Sequence, residues 1–412
     1  MDYGLIGERL GHSFSKEVHG ALADYPYELR EIPRDGLSDF IAEKNFKAVN
    51  VTIPFKEAVI PYLDYIDDTA REIGAVNVLV NREGKLYGYN TDFYGMQALI
   101  ERLELSVAGK KVAILGTGGT SKTARAVAKF LGARDIIRVS RTAKDGAVSY
   151  EELYENHRDV DIVINTTPVG MYPNISGLAL ELDKFERLSG VIDAVYNPLR
   201  TPLVLSALER GIKAEGGLYM LVGQAVRASE IFLGKDYPSG TLDAIYKDIL
   251  EKKENIVLIG MPSSGKSTVG AIIADAMSRK LTDTDELIKE IAGFEIPEIF
   301  SNQGEAAFRD IESDAVMRAA SLGSAVIATG GGCVLREKNL RHLRQNGRIY
   351  FIDRPLSALT PTDDRPLSSS REAIEKRYKE RYGIYLSSCD ERIDADCDAM
   401  SVARKIMENF KK

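Results

Sequence analysis

An α/β fold is what this sequence predicts. Apolar runs of strand length alternate with helical patterns along the chain. Two strand-to-helix junctions are glycine-rich, Gly116 to Ser121 after Lys111–Leu115 and Gly260 to Ser267 after Ile256–Ile259. Polar residues gather where the apolar runs end, which is where open α/β sheets bind ligands.

The 412 residues suffice for several domains, each with its own core. The 44% hydrophobic and 28% charged content suits soluble globular protein, and a net charge of −7 argues mildly against a non-specific nucleic-acid binder. Cys333, Cys389 and Cys397 cannot all pair and form no CxxC, so a reducing compartment without structural zinc is expected. The N-terminus begins directly as a strand and turn, without a basic segment or long apolar run, and no stretch approaches a membrane span. The expected location is the cytoplasm.

In the first hundred residues the strands are Tyr3–Ile6, Tyr27–Glu31, Ala48–Val51 and Leu86–Tyr89, with helices near Lys16–Leu22 and from Leu37. Ser13 and Ser15 follow the first strand, and Asn50, Thr52 and Lys56 the third. Asn77 lies in Gly74-Ala-Val-Asn77, and Asn90, Thr91 and Asp92 follow Tyr89. Each alone reads as a turn or cap residue. Together, hydroxyls and amides with one Lys and one Asp suit a small polyhydroxylated acid. Lys56 can hold a carboxylate or move a proton, and Asp92 can pair with it.

Gly116-Thr-Gly118-Gly119-Thr120-Ser121 opens a helix running through Lys129 and resembles a dinucleotide fingerprint with Ser121 at the third glycine position; alone it also fits a plain turn. The next strand, Ile136–Val139, ends in Ser140-Arg141-Thr142-Ala-Lys144. An NAD binder tends to place an acid there for the ribose hydroxyl. Cations and hydroxyls suit a 2′-phosphate, hence NADP. Strands Asp161–Asn165 and Val191–Asp193 lead into Thr166 and Tyr196, and the segment from Gly216 through Gly217 and Met220 to Gln224 returns the chain toward the first domain.

On these motifs residues 1–248 resemble shikimate dehydrogenase throughout. The resemblance implies NADPH-dependent reduction of 3-dehydroshikimate. It implies that Ser13, Ser15, Thr52, Asn77, Asp92, Tyr196 and Gln224 hold the substrate, with Lys56 and Asp92 as catalytic pair and Lys56 serving proton transfer. Gly217 and Met220 would flank the nicotinamide, and Gly116, Gly118, Gly119, Thr120, Ser140, Arg141, Thr142, Lys144 and Thr166 would bind the rest of NADP(H). Lys16, Gly20 and Ser140 stand where the family usually has Pro, Asn and Asn. A quinate-using relative is the alternative, and the Ser-Phe-Ser pair looks more like the shikimate type.

Leu242–Lys253 reads as a last helix ending in a charged, solvated junction, or as a continuous helix joining docked domains. Next, Gly260-Met261-Pro262-Ser263-Ser264-Gly265-Lys266-Ser267 precedes a helical pattern, Thr268 to Met277. Strand, glycine-rich turn and helix N-terminus form a phosphate-binding P-loop: backbone amides curl around phosphate, Lys266 reaches it, and Ser267 can ligate Mg²⁺. In Lys280-Leu-Thr-Asp283-Thr-Asp285 two carboxylates one residue apart on a strand end point the same way. Arg309 and Glu312 share a helix face. Gly330, Gly331 and Gly332 permit close approach of a ligand, and Asp364-Arg365-Pro366-Leu367 suits a mobile lid. Singly, each arginine also fits a surface ion pair.

Residues 254–412 resemble shikimate kinase on these motifs. The resemblance implies a P-loop parallel-sheet domain of the nucleoside monophosphate kinase type that uses ATP and Mg²⁺. Gly260 to Thr268 would bind the nucleotide, with Lys266 on phosphate. Ser267 and Asp283 would serve the metal, and Asp285 would activate the acceptor hydroxyl. Arg309, Gly330, Gly331, Gly332 and Arg381 would hold shikimate, and Arg365 would face the transferred phosphate. The stretch Asp353–Asp364 is short against the family pattern and lacks an evident counterpart of the arginine that stacks near adenine.

The expected layout is therefore an α/β substrate domain (1–100 with about 222–248), a Rossmann-like NADP domain (101–221), a linker (249–254) and the kinase domain (255–412). The expected function is bifunctional, with small-molecule substrates, no nucleic acid and no membrane. The alternative is that one half is a catalytically weak or regulatory ligand-binding module.

Overall fold

The computed structural model describes residues 1–11, 13–143, 146–360 and 370–411. By internal contacts the chain divides into Met1–Ile249 and Leu250–Lys412.

The first unit holds two sheets. Strands β1 (Tyr3–Gly7), β2 (Tyr27–Glu31), β3 (Ala48–Val51), β4 (Tyr65–Ile66), β5 (Val78–Arg82) and β6 (Lys85–Tyr89) form the first, in the order β2-β1-β3-β5-β6-β4. Its β1, β2 and β3 are parallel, while β5 runs antiparallel to both β3 and β6. Strand β5 was not among those expected from the sequence; its hairpin with β6 brings Asn77 beside Asp92. Strands β7 (Lys111–Leu115), β8 (Asp135–Val139), β9 (Ile162–Asn165), β10 (Gly190–Asp193) and β11 (Lys213–Glu215) form a fully parallel second sheet ordered β11-β10-β9-β7-β8. This order reverses between β7 and β9, so the crevice for a ligand opens at their carboxyl ends.

Near-continuous burial explains why these strands read as apolar runs: β9 and β10 are buried at every position. Each wholly buried Ile, Val or Leu stabilises the sheet by roughly 1.5–3 kcal/mol. Two long helices, Asp92–Arg102 and Leu218–Leu233, pack on each other. A Cβ on Gly95 would stand 2.3 Å from the carbonyl oxygen of Met220, so only glycine allows this approach.

Asp193, at the end of β10, is buried. It accepts hydrogen bonds from Thr201 Oγ1 (2.6 Å), Asn165 Nδ2 (2.9 Å) and the Val195 amide (3.0 Å). Burial pushes its carboxyl up to about 6, although these donors oppose the shift. A raised folded pKa stabilises the fold below the unfolded value of about 3.9, and that contribution is lost as pH rises toward 6. Asp193→Asn is thus expected to gain stability relative to the parent between pH 4 and 7, by up to about 3 kcal/mol. Denaturant titrations of both proteins across that range check it; a pH-independent difference would refute it.

The second unit has one parallel sheet of β12 (Asn255–Ile259), β13 (Lys280–Asp283), β14 (Ala325–Ala328), β15 (Gly347–Asp353) and β16 (Glu391–Asp394), in the order β13-β14-β12-β15-β16. The strand feeding the phosphate loop, β12, is central and wholly buried.

Of the two readings of the junction, the helix Thr241–Lys253, which runs to one residue before β12, fits the continuous one, and Glu254 is buried rather than solvated, with Arg348 Nη2 3.1 Å from its carboxylate. Two other expectations change. The helix after the phosphate loop starts at Lys266, not Thr268. Strand β13 stops at Asp283, whose carboxylate accepts the Asp285 amide (2.9 Å) and caps the helix Thr284–Ala292, so Asp285 belongs to a helix. Among the described residues, no helix is long and apolar enough to cross a membrane.

Candidate active sites

In the first unit, strand ends deliver polar side chains to a cavity of about 330 Å³. Helix Phe55–Ala58 after β3 carries Lys56, and Asp92 opens the helix after β6. Lys56 Nζ lies 2.5 Å from Asp92 Oδ2, both side chains being largely buried. The other carboxylate oxygen accepts from Asn77 Nδ2 at 2.9 Å. Asn77 Nδ2 also donates to Thr91 Oγ1 (3.1 Å), and its Oδ1 accepts the Thr91 amide (2.7 Å). Asp92 is therefore held on one side by a cation and on the other by an amide that is itself fixed.

The structure gathers Ser13, Ser15, Thr52, Lys56, Asn77, Asp92, Tyr196 and Gln224 around this one cavity, with Thr120, Gly217 and Met220 also on its wall. Ser13 Oγ donates to Ser15 Oγ (3.0 Å) and accepts the Ser15 amide (3.2 Å), which turns both hydroxyls together. Arg9 and Asn50 also line the cavity but were not in the expected substrate set. The position of Asn50 at a strand end was the available signal. Tyr27 donates to its Oδ1 at 2.8 Å, and His19 stacks on Tyr27 with centroids 4.0 Å apart. Burial pushes the His19 imidazole down to about 3, so it is neutral near pH 7.

At the β7/β9 crevice, helix Gly119–Phe130 begins at Gly118 without a side-chain cap, so its N-terminal amides remain available to a phosphate. Thr120 lies in its first turn, while Ser121 turns inward and donates to the Gly116 carbonyl (2.7 Å). The Thr166 hydroxyl is engaged by the Leu115 carbonyl at 2.6 Å. After β8, Ser140 and Thr142 hydroxyls are 3.4 Å apart and Arg141 is exposed beside them. These donors and this cation fit a dinucleotide with an extra phosphate. Lys144 lies outside the described residues.

In the second unit the loop Gly260 to Gly265 leads into helix Lys266–Ala276. Buried Lys266 donates through Nζ to the carbonyls of Gly260 (3.0 Å) and Met261 (2.8 Å). Ser264 Oγ is buried with no hydrogen-bond partner among the described residues. Such an unsatisfied donor inside a glycine-rich loop fits a phosphate oxygen. Ser263 Oγ instead donates to the Thr360 carbonyl (2.8 Å), and Thr268 is exposed in the first helical turn. Ser267 Oγ donates to Asp283 Oδ2 at 2.8 Å. Two such oxygens suit Mg²⁺, which takes few protein ligands and completes its shell with phosphate and water.

A cavity of about 560 Å³ adjoins them, lined among others by Pro262, Ser267, Asp283, Asp285, Arg309, Gly330, Gly331, Gly332 and Arg381. Arg309 is buried and bonded to Glu312 (2.8 Å) and Glu305 (3.3 Å). Burial works against its charge, but the two carboxylates outweigh this and hold its pKa up. A Cβ on Gly332 would lie 2.2 Å from Arg309 Nη1, so the third glycine is what admits the guanidinium. Arg381 donates to the Gly331 carbonyl at 3.1 Å. Glu312, Lys289, Phe300, Phe308 and Arg377 also line this cavity; of these the sequence links only Glu312 to a site residue, Arg309, through a shared helix face. Arg354, at the end of β15, has a terminal nitrogen 3.9 Å from where a Gly265 Cβ would stand. Arg365 and the rest of 361–369, the core of the expected lid, lie outside the described residues.

The Arg309–Glu312 pair offers a test of its own. Glu312→Gln keeps the shape but leaves the buried guanidinium without its nearest counter-charge, and breaking such a pair costs roughly 3–5 kcal/mol. The second unit of Glu312→Gln is expected to melt several degrees lower, readable by calorimetry; an unchanged transition would show the pair to be energetically idle.

Comparison with known proteins agrees with this geometry. Residues 5–79 match the family model described as shikimate dehydrogenase substrate binding domain, and residues 262–411 match that of shikimate kinase. A Clostridium perfringens protein named shikimate dehydrogenase (NADP(+)) is 38% identical over 268 residues, covering 60% of this chain and 97% of its own length. The crystal structure of shikimate dehydrogenase 1 from Peptoclostridium difficile superposes with a TM-score of 0.56 at 37% identity, covering 60% of this chain and 98% of that one. Shikimate 5-dehydrogenase from Thermus thermophilus, solved with NADP(H) and shikimate, gives 0.54 at 26% identity, covering 60% and 99%. The chain therefore belongs to the shikimate dehydrogenase family and carries, in residues 262–411, a shikimate kinase domain.

Proposed function

We propose that the chain performs two consecutive reactions: NADPH-dependent reduction of 3-dehydroshikimate to shikimate, then ATP-dependent phosphorylation of shikimate at its 3-hydroxyl. The observation that carries the reading is the Lys56–Asp92 pair, clamped by Asn77 on the wall of a cavity that Gly217 and Met220 share. In this reading residues 1–100 with about 222–248 hold the substrate and 101–221 hold the cofactor.

NADPH, when bound, supplies the hydride. Lys56 gives a proton to the carbonyl oxygen as it becomes an alkoxide, and Asp92 keeps the ammonium aimed. Ser13, Ser15, Thr52, Asn77, Tyr196 and Gln224 orient the hydroxyls and carboxylate of the substrate. Gly116, Gly118, Gly119, Thr120 and Thr166 would bind the cofactor phosphates, and Ser140, Arg141 and Thr142 would bind the 2′-phosphate, a role the sequence also assigns to Lys144.

In the second unit Asp285 accepts the proton of the attacking hydroxyl. Lys266 and Arg365 stabilise charge on the transferred phosphoryl group. Ser267 and Asp283 would hold Mg²⁺, which when bound neutralises phosphate charge. The purified chain should oxidise NADPH when given 3-dehydroshikimate and release ADP when given shikimate. Failure of ADP release would reduce the second unit to a ligand-binding module, and turnover of quinate with NADP⁺ would widen the first.

A further inference from the structure

The cavity of the first unit carries a charge that its catalytic pair does not use. Among the described residues on its wall the charged side chains are those of Arg9, Lys56 and Asp92. Lys56 and Asp92 stand 2.5 Å apart and neutralise each other. Arg9 forms no hydrogen bond or ion pair with any described residue. Glu8, next to it in the chain, pairs with Arg34 at 3.1 Å, and Glu31 accepts the Leu10 amide at 2.7 Å. The Glu8 amide donates to the Ile53 carbonyl (3.3 Å), and Leu10 is buried. The backbone on both sides of Arg9 is thus held, while its side chain is left exposed at the cavity that Ser13 and Ser15 of the same segment enter. The described wall therefore carries one uncompensated positive charge. A concave, low-dielectric wall focuses such a charge and raises the local concentration of anions. A guanidinium adds a planar fork of donors that matches a carboxylate.

We propose that Arg9 is a specificity-determining residue of the first reaction: its charge draws the anionic substrate to the cavity and separates carboxylates from neutral compounds with the same ring. The serines and amides further in then sort the hydroxyls. This rests on the reading of the first unit as a dehydrogenase that forms shikimate. The sequence concealed the residue, because Gly7-Glu8-Arg9-Leu10-Gly11 looks like a turn with solvated charges.

The test uses the full chain, without ATP, and follows NADPH formation from shikimate at saturating NADP⁺. For the parent, kcat/KM is expected to fall roughly 3–10-fold from low salt to about 0.3 M, as the field of an exposed cation is screened. Arg9→Gln should start at roughly the high-salt value and show a flat profile, with kcat within about twofold of the parent. Arg9→Glu should start lower still and rise with salt, and Arg9→Lys should keep most of the parent's salt response. Shikimate methyl ester, as substrate or competitor in the same assay, should act on parent and Arg9→Gln equally, because it lacks the anion. A salt profile unchanged in Arg9→Gln, an equal loss for the ester, or a change confined to the KM for NADP⁺ would each overturn the proposal. If Arg9→Gln misfolds, Arg9→Met carries the same expectation, with calorimetric melting as the check on folding. If the parent chain does not oxidise shikimate with NADP⁺, the underlying reading fails instead, whatever the variants do.

Discussion

Lys56→Ala is expected to lower kcat for NADPH oxidation with 3-dehydroshikimate by roughly 10²–10⁴-fold, the range for losing a positioned general acid, and to leave ADP release with shikimate unchanged. Lys56 Nζ and Asp92 Oδ2 are 2.5 Å apart, with side chains only 20% and 12% exposed. Hydride arriving at a carbonyl carbon leaves negative charge on oxygen, and a nearby ammonium both stabilises and protonates it. Alanine removes the proton and the charge but leaves Asp92 tied to Asn77, so the cavity keeps its shape. Lys56→Arg separates the two roles. Guanidinium stays protonated in proteins, so it restores charge without a transferable proton. The arginine variant should regain substrate KM more than kcat. If Lys56→Arg instead recovers full kcat, Lys56 acts by charge alone. Loss of both activities in Lys56→Ala would contradict independent sites.

The sequence made Lys56 and Asp92 legible for a physical reason: each ends an apolar run, and strand ends of an open sheet are where ligands sit. The partnership of Asn77 was not legible, since it depends on β5 running antiparallel between β3 and β6. Asp285 was found through faulty geometry. Alternation along a strand placed it beside Asp283, whereas the strand ends at Asp283 and a helix cap sets the two carboxylates. Arg309 and Glu312 were readable as neighbours because helical spacing alone pairs them. Arg377 could not be read, because burial of one face of a charge-rich helix is decided by packing. Arg354 is hidden for a similar reason, as its nearness to Gly265 follows from β15 lying beside β12.

Lys266→Met is expected to produce the mirror image: phosphoryl transfer to shikimate falls by at least roughly 10²–10³-fold, as for loss of one transition-state donor, while NADPH oxidation is untouched. The ammonium is held by the carbonyls of Gly260 and Met261 (3.0 and 2.8 Å). Those are neutral acceptors, and charge-assisted bonds to phosphate are roughly twice as strong. Lys266 should therefore shift from loop to nucleotide on binding, an exchange that favours the bound state and the more strongly charged transition state. Methionine keeps the length and apolar stem of the side chain, so the buried position stays filled. Removing a buried charge also lifts its desolvation cost, so the second unit should not lose stability when measured without nucleotide. The combination separates catalysis from folding: activity collapses while the calorimetric transition holds. A parallel fall in both would mean that the lysine serves mainly to close the loop on itself. The chain carrying both Lys56→Ala and Lys266→Met should show each loss at its single-variant size, because Lys56 bonds Asp92 within the first unit and Lys266 bonds Gly260 and Met261 within the second.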